Sequence, residues 1–186
     1  MKSLDLTNHF LIAMPNLMDP NFHKSVTLIC AHNEEGAMGI IINRPTNILL
    51  GEVLAQMEIV SPDPRINNLT VYEGGPVQRD RGFIIYRPLS QWESTIKVGN
   101  NYGVATSRDI LQAMCHSRGP EDTLITLGYA GWGAGLLERE LAENAWLSSP
   151  AEETILFEVP PQDRWRTAVS LLGIEIEHLS SEAGHA

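Results

Sequence analysis

Two apolar runs either side of a short polar loop constrain this chain more than any other feature. Ser25 to Ala31 is apolar on both faces, as a strand covered from above and below must be. Asn33-Glu34-Glu35-Gly36 has the composition of a hairpin loop, and Ala37 to Asn43 follows as the partner strand. A hairpin buried on both sides needs a sheet with material packed on each face, which excludes an all-helical bundle. Gly39, inside the second strand, marks a bulge or a close backbone approach.

The rest of the chain extends this sheet. His9 to Met14 reads as a strand stopped by Pro15, and Pro45 ends the Ala37–Asn43 strand. A helix is expected near Ile48 to Met57, with Asn47 as its cap, and Ser61 to Asn68 reads as loop. Leu69 to Tyr72 and Gly82 to Tyr86 read as strands, with Glu73-Gly74-Gly75-Pro76 between them unable to continue a ladder. Thr95 to Val98 and Tyr102 to Ala105 flank a Gly-Asn-Asn turn. Thr106 with Asp109 resembles a capping box opening a helix that carries Ile110, Leu111, Met114 and Cys115. Leu124 to Tyr129 reads as a buried strand leading into a Gly-rich turn and a helix near Leu136 to Ala145. Thr154 to Val159 reads as a strand, and Pro161 opens a helix to Leu172. The tail from Glu177 is expected to fray. Strands precede helices while hairpins interrupt the alternation, so the expectation is α+β: a mixed sheet with helices packed on it, in one domain over residues 1–186.

Composition sets the bounds on function. Leu, Ile, Val and Phe supply 50 of 186 residues, enough apolar material for a core without staples. Against 13 Lys and Arg stand 23 Asp and Glu, a formal net charge of −10. Residues 1–93 hold 7 basic and 10 acidic side chains and the remainder 6 and 13, so neither half is a basic module. This argues against direct nucleic-acid binding and against anionic membranes. Cys30 and Cys115 make no disulfide framework, and no apolar run approaches a membrane span or a signal-peptide core. A cytoplasmic location is the expectation.

Four segments carry candidate chemistry. The glycines from Gly128 through Tyr129, Gly131 and Trp132 to Gly135 either cradle a phosphate at a helix N-terminus or form a tight strand-to-helix turn. Glu138 and Glu140 nearby repel a phosphate. Gly74-Gly75-Pro76 brings backbone close to a ligand or simply ends a strand, with Arg79, Arg81 and Arg87 as the densest basic patch. Asn43-Arg44 sits at a strand end, where an arginine forks onto a carboxylate or satisfies loop carbonyls. Cys30 and His32 share a face at strand period two and form either a thiolate–imidazole pair or a buried, inert thiol. No histidine or cysteine spacing matches a metal site, no serine is marked as a nucleophile, and no cofactor is implied.

Together these segments resemble the YqgE/AlgH family of bacterial proteins. The resemblance runs through His9-Phe10-Leu11-Ile12-Ala13-Met14-Pro15, Asp19-Pro20-Asn21-Phe22, Ser25 to Cys30 and Gly36-Ala37-Met38-Gly39. It continues in Asn43-Arg44-Pro45, Gly74-Gly75-Pro76-Val77, Gly128 to Gly133, Leu137-Glu138, Glu140-Leu141, Asn144, Trp146-Leu147 and the terminal Gly184-His185-Ala186. Leu136 departs from it, standing where the family usually has Gln. The resemblance implies an α+β fold whose bifurcated mixed sheet curls into a partial barrel with helices outside. One branch of the family carries the label of a transcriptional regulator of alginate production; no activity, cofactor or catalytic residue comes with it.

The expectation is therefore a non-enzymatic regulatory or interaction protein, acting indirectly through a protein partner or small ligand. The rival is a small-molecule binder or enzyme whose site lies where Asn43-Arg44, Gly74–Pro76 and Gly128–Gly133 converge. A ligand-free scaffold is the third reading.

Overall fold

A computed structural model describes residues 4–174. The expected fraying tail from Glu177 and the terminal Gly184-His185-Ala186 lie outside the described residues. The buried hairpin forms as anticipated: β2 (Val26–Asn33) pairs antiparallel with β3 (Gly36–Ile41). Gly39 is the close approach, since a Cβ there would stand 2.7 Å from Thr27 Cγ2 and 3.0 Å from the Leu28 carbonyl oxygen.

The remaining strands are β1 (His9–Ala13), β4 (Pro45–Leu49), β5 (Thr70–Glu73), β6 (Val77–Arg87), β7 (Thr95–Lys97), β8 (Gly103–Ala105), β9 (Asp122–Gly133) and β10 (Trp146–Pro150). Among the described residues they form a ten-stranded sheet ordered β10-β1-β2-β3-β9-β6-β8-β7, with β5 on β9 and β4 on β5. All pairings are antiparallel except β5–β9, which is parallel, so the sheet is mixed. β9 is the strand where it forks. Gly131 to Gly133 and Ala130 pair with β3, while Asp122 to Leu127 lie between β5 and β6.

The curled sheet makes a half-barrel, and the fork shows in its cores. One face gives a single core, including Phe10, Leu28, Ile40, Phe83 and Leu124, closed by α5 (Glu153–Phe157) and α6 (Pro161–Leu171). The opposite face splits. Over β5, β6, β8 and β9, Ile84, Tyr86 and Ile125 pack under α1 (Leu50–Gln56) and α3 (Arg108–Cys115). Over the β1–β3 branch, Leu11, Ile29 and Trp132 pack under α4 (Leu136–Ala142) and the N-terminal Leu6.

Several local expectations are corrected. Pro45 opens β4, where it needs no ladder N–H at the sheet's margin. α1 starts at Leu50 rather than after Asn47, because Glu52 Oε2 turns back to accept the Leu49 N–H at 2.8 Å. The Ser61–Asn68 loop contains α2 (Pro64–Asn67), capped by Asp63. Ser107, not Thr106, is the N-cap residue of α3. Thr154 to Val159 is largely helix α5, not strand, and its Ile155 and Leu156 enter the core from one turn. β10 had no counterpart in the pattern; it takes its place by pairing with β1.

Candidate functional site

The Gly128–Gly133 segment is not a strand-to-helix turn. It is the outer part of β9, and the turn is confined to Ala134 and Gly135. Gly128 is there because the sheet forks at this point. Gly74 N–H donates to the Leu127 carbonyl at 2.7 Å while its own carbonyl accepts the Ile41 N–H at 2.8 Å, so this residue bridges both branches. A Cβ on Gly74 would stand 2.4 Å from the Gly128 oxygen, one on Gly75 2.1 Å from the Tyr129 carbonyl carbon, and one on Gly128 2.4 Å from the Gly75 oxygen. The two glycine segments do converge, as the binder reading requires. They converge on each other, however, and leave no space between them for a ligand.

The polar candidates serve the frame as well. Arg44 donates through Nη1 to the Asn21 carbonyl and through Nη2 to the His23 carbonyl at 3.0 Å. Burial holds its pKa below the ordinary arginine value, opposed by Glu73 and Asp19. Asn43 Oδ1 accepts the Val26 N–H at 2.9 Å and its Nδ2 donates to the Lys24 carbonyl at 2.9 Å. These two residues hold the Asp19–Ser25 loop against the end of β3 rather than offering a fork to solvent. Glu73 N–H bonds to the Arg44 carbonyl, which ties the loop to Gly74-Gly75-Pro76.

Cys30 and His32 do not share a face. The β2–β3 register shifts between Ile29 and Ala31, and this bulge breaks the period-two rule. Cys30 enters the core under α6, where burial pushes its thiol up to about 12. His32 turns to the other side: its Nδ1 accepts the Leu6 N–H at 3.0 Å, which leaves the ring proton on Nε2 to donate to Glu138. The basic patch is dispersed likewise. Arg87 pairs with Asp122, Glu153 and Glu158, Arg79 lies 3.9 Å from Glu73, and Arg81 sits over the Phe83 ring. Trp132 packs against Phe22 and Trp146, and Glu140 accepts the indole N–H of Trp132 at 2.9 Å and of Trp146 at 3.4 Å.

Space for a ligand lies elsewhere. A cleft of about 540 Å³ opens at the fork between Met38 and Gly131 on one wall and Phe83 and Ile96 on the other. Tyr129 and Trp132 also border it, but Asn43, Arg44, Gly74, Gly75, Pro76 and Gly128 do not. A broad depression of about 820 Å³ lies between Glu58–Pro62 and α3, open to solvent. A narrower hollow, about 240 Å³, sits between α1, α3 and the face of β6, β8 and β9 beneath them. It is mainly apolar, and one of its walls is Gly82, whose missing Cβ would meet nothing within 4 Å. In the sequence Gly82 reads only as a strand start. The available signal was a glycine opening the run Phe83 to Tyr86, in a strand otherwise built of large side chains.

Comparison with known proteins gives this geometry a relative. The AlgH-like family model (DUF179) matches residues 10–177. The chain belongs to the AlgH-like family. A UPF0301 protein of Nitrosococcus oceani is 53% identical over 179 residues, covering 96% of each chain, and one of Thioalkalivibrio sulfidiphilus is 54% identical over 184 residues, covering 99% and 98%. The solution structure of the AlgH protein from Pseudomonas aeruginosa superposes with a TM-score of 0.82 at 47% identity over the full length of both chains. A crystal structure of a Corynebacterium diphtheriae protein shares the fold, with a TM-score of 0.75 at 17% identity over 97% and 94% of the two chains.

In this AlgH-like chain the motifs behind the resemblance therefore mark the frame: the glycine contact at the fork, the Asn43-Arg44 clamp and the Trp132–Trp146–Glu140 cluster. Leu136 stands exposed in the first turn of α4.

Proposed function

We propose that this AlgH-like protein is a non-enzymatic regulatory or interaction protein of the bacterial cytoplasm, acting on gene expression indirectly. One observation carries the reading: the polar side chains best placed for chemistry already have structural partners. Arg44 and Asn43 hold a loop by its backbone, both ring nitrogens of His32 are engaged, and Glu140 serves two indoles. A group bonded in this way has to break a structural contact before it can meet a substrate. The net charge of −10 and the pairing of Arg87 with Asp122, Glu153 and Glu158 support an indirect role, since DNA binding rests on clustered cations.

Incubation with a bacterial metabolite extract, followed by NMR, is expected to leave every component unconsumed; reproducible turnover of any of them overturns the reading. No mobility shift of duplex DNA is expected at about 100 mM salt, and one that weakens steeply with added salt would remove the indirect part. A second reading, that the chain binds a small molecule, is favoured by the apolar hollow at Gly82.

A further inference from the structure

We infer that the hollow beside Gly82 is a binding site for a small amphipathic carboxylate, with its apolar body between α1, α3 and the sheet and its carboxylate at Arg108. The inference rests on the small-molecule reading just given and names the ligand class. Three observations meet at this place. The first is the hollow itself, about 240 Å³, in a molecule whose neighbouring positions Ile84, Ile125, Leu50 and Leu111 are buried. The hollow opens to solvent past Gln56, Asp80 and Gly82, and a concave site with an apolar floor and a few polar groups at its rim is the usual form of a small-molecule site.

The second is Gly82. It lies two residues before the buried Ile84, exposed at the opening of the hollow, and a Cβ built on it finds no atom within 4 Å. Its backbone is not in the left-handed region, and it stands where the β6–β9 ladder resumes after the irregular stretch from Val77. A leucine or valine would occupy the hollow at once; glycine keeps it open.

The third is Arg108, at the mouth. Its Nη2 donates to the Met57 carbonyl at 2.7 Å, tying the start of α3 to the end of α1 across the opening. Among the described residues no carboxylate lies within ion-pair distance of it. The side chain is exposed and has guanidinium donors to spare, the geometry that takes a carboxylate in two parallel bonds. Asp80, also on the rim, disfavours a second negative charge and so selects a monoanion. Size follows by proportion: a cavity of about 150 Å³ holds benzene, so one of this volume holds about ten non-hydrogen atoms. Octanoate has ten.

The test uses the full chain, with octanoate below its micellar concentration, 1-octanol as the uncharged probe of equal length and acetate as the headgroup alone. Thermal melting and isothermal titration are the readouts. Octanoate is expected to raise the Tm of the wild type, 1-octanol to raise it less, and acetate to leave it unchanged. Arg108→Gln is expected to weaken octanoate at least about tenfold, as loss of a charged hydrogen bond implies, while leaving 1-octanol unaffected. Gly82→Leu is expected to abolish both responses. Should Gly82→Leu fail to fold, methyl NMR of the wild type replaces it: octanoate must shift the Leu50, Ile84 and Leu111 methyls. Octanoate binding that survives Gly82→Leu, or that moves methyls elsewhere, overturns the proposal. A response to 1-octanol without one to octanoate refutes the carboxylate class and leaves the small-molecule reading standing. Silence from both probes removes the hollow from that reading as well.

Discussion

Gly128 and Gly133 lie five residues apart in the same strand, yet substitution by alanine is expected to act with opposite sign. Alanine at 128 must place its Cβ 2.4 Å from the Gly75 oxygen and 3.2 Å from the Val77 oxygen, at a φ of +83°. Both obstacles are backbone atoms held at the fork, so neither can step aside as the end of a side chain does. Overpacking of this kind costs about 1–3 kcal/mol and a left-handed non-glycine residue about 1–2 more, so the expected loss is about 2–5 kcal/mol. For a chain of this length that lowers Tm by about 4–20 °C. At Gly133 an added Cβ meets nothing within 4 Å and the backbone is ordinary strand. Alanine there restricts the unfolded chain and is expected to stabilise by about 0.4–1 kcal/mol. Urea titration followed by circular dichroism, with both variants beside the wild type, measures the two changes. A Gly128→Ala midpoint equal to that of the wild type would refute the claim that these glycines exist for the contact across the fork.

Three further outcomes follow from contacts described above. Arg44→Ala, which strips donors from the Asn21 and His23 carbonyls, is expected to cost about 1.5–3 kcal/mol in denaturant unfolding and to leave any octanoate response intact; loss of that response in a folded protein would return Arg44 to the binding site. The hydrogen bond from His32 holds Glu138 below its ordinary value of 4.5, so its stabilising contribution is complete above that pH and is lost as the pH falls through the lower folded-state value. Glu138→Gln is therefore expected to flatten the acid limb of the stability profile, and an unchanged limb would contradict the pairing. Cys30, with its thiol pushed up to about 12 by burial, is expected to resist iodoacetamide at about pH 8 in the folded protein and to react on unfolding; rapid native labelling at Cys30 would overturn its placement in the core.

What the sequence made legible follows physical range. The β2–β3 hairpin, α3 and α6 were readable because their signals are local: a double-faced apolar run with a polar loop, an apolar stripe, a proline at a first helical position. Gly128 misleads because glycine usually signals a turn, and here its cause is a segment more than fifty residues earlier, Gly74-Gly75. Thr154 to Val159 looks like a strand because six residues are too few to show a helical period, and its helicity is decided by packing with α6 under the sheet. Cys30 and His32 failed as a pair because a bulge shifts parity invisibly in sequence. Of the candidate site, the proximity of Asn43-Arg44, Gly74–Pro76 and Gly128 was legible and their purpose was not. Glycine at a close backbone contact and glycine at a ligand look alike until the neighbouring atoms are known. The hollow at Gly82 was out of reach because four separate segments have to assemble before its walls exist.

The fork also sets an order on how the molecule comes into being. β9 is shared by the two branches, meeting β3 with one end and β5 and β6 with the other, and it begins only at Asp122. A chain leaving the ribosome N-terminus first can close the β2–β3 hairpin early, yet β3 on one side and β5 and β6 on the other have no common neighbour. Each exposes a row of unpaired backbone groups. β1 likewise waits for β10, which begins at Trp146. About seven-tenths of this chain, through Ala130 at least, must therefore be synthesised before β9 can clasp the two branches together, and until then the nascent protein carries open edges of the kind that chaperones shield.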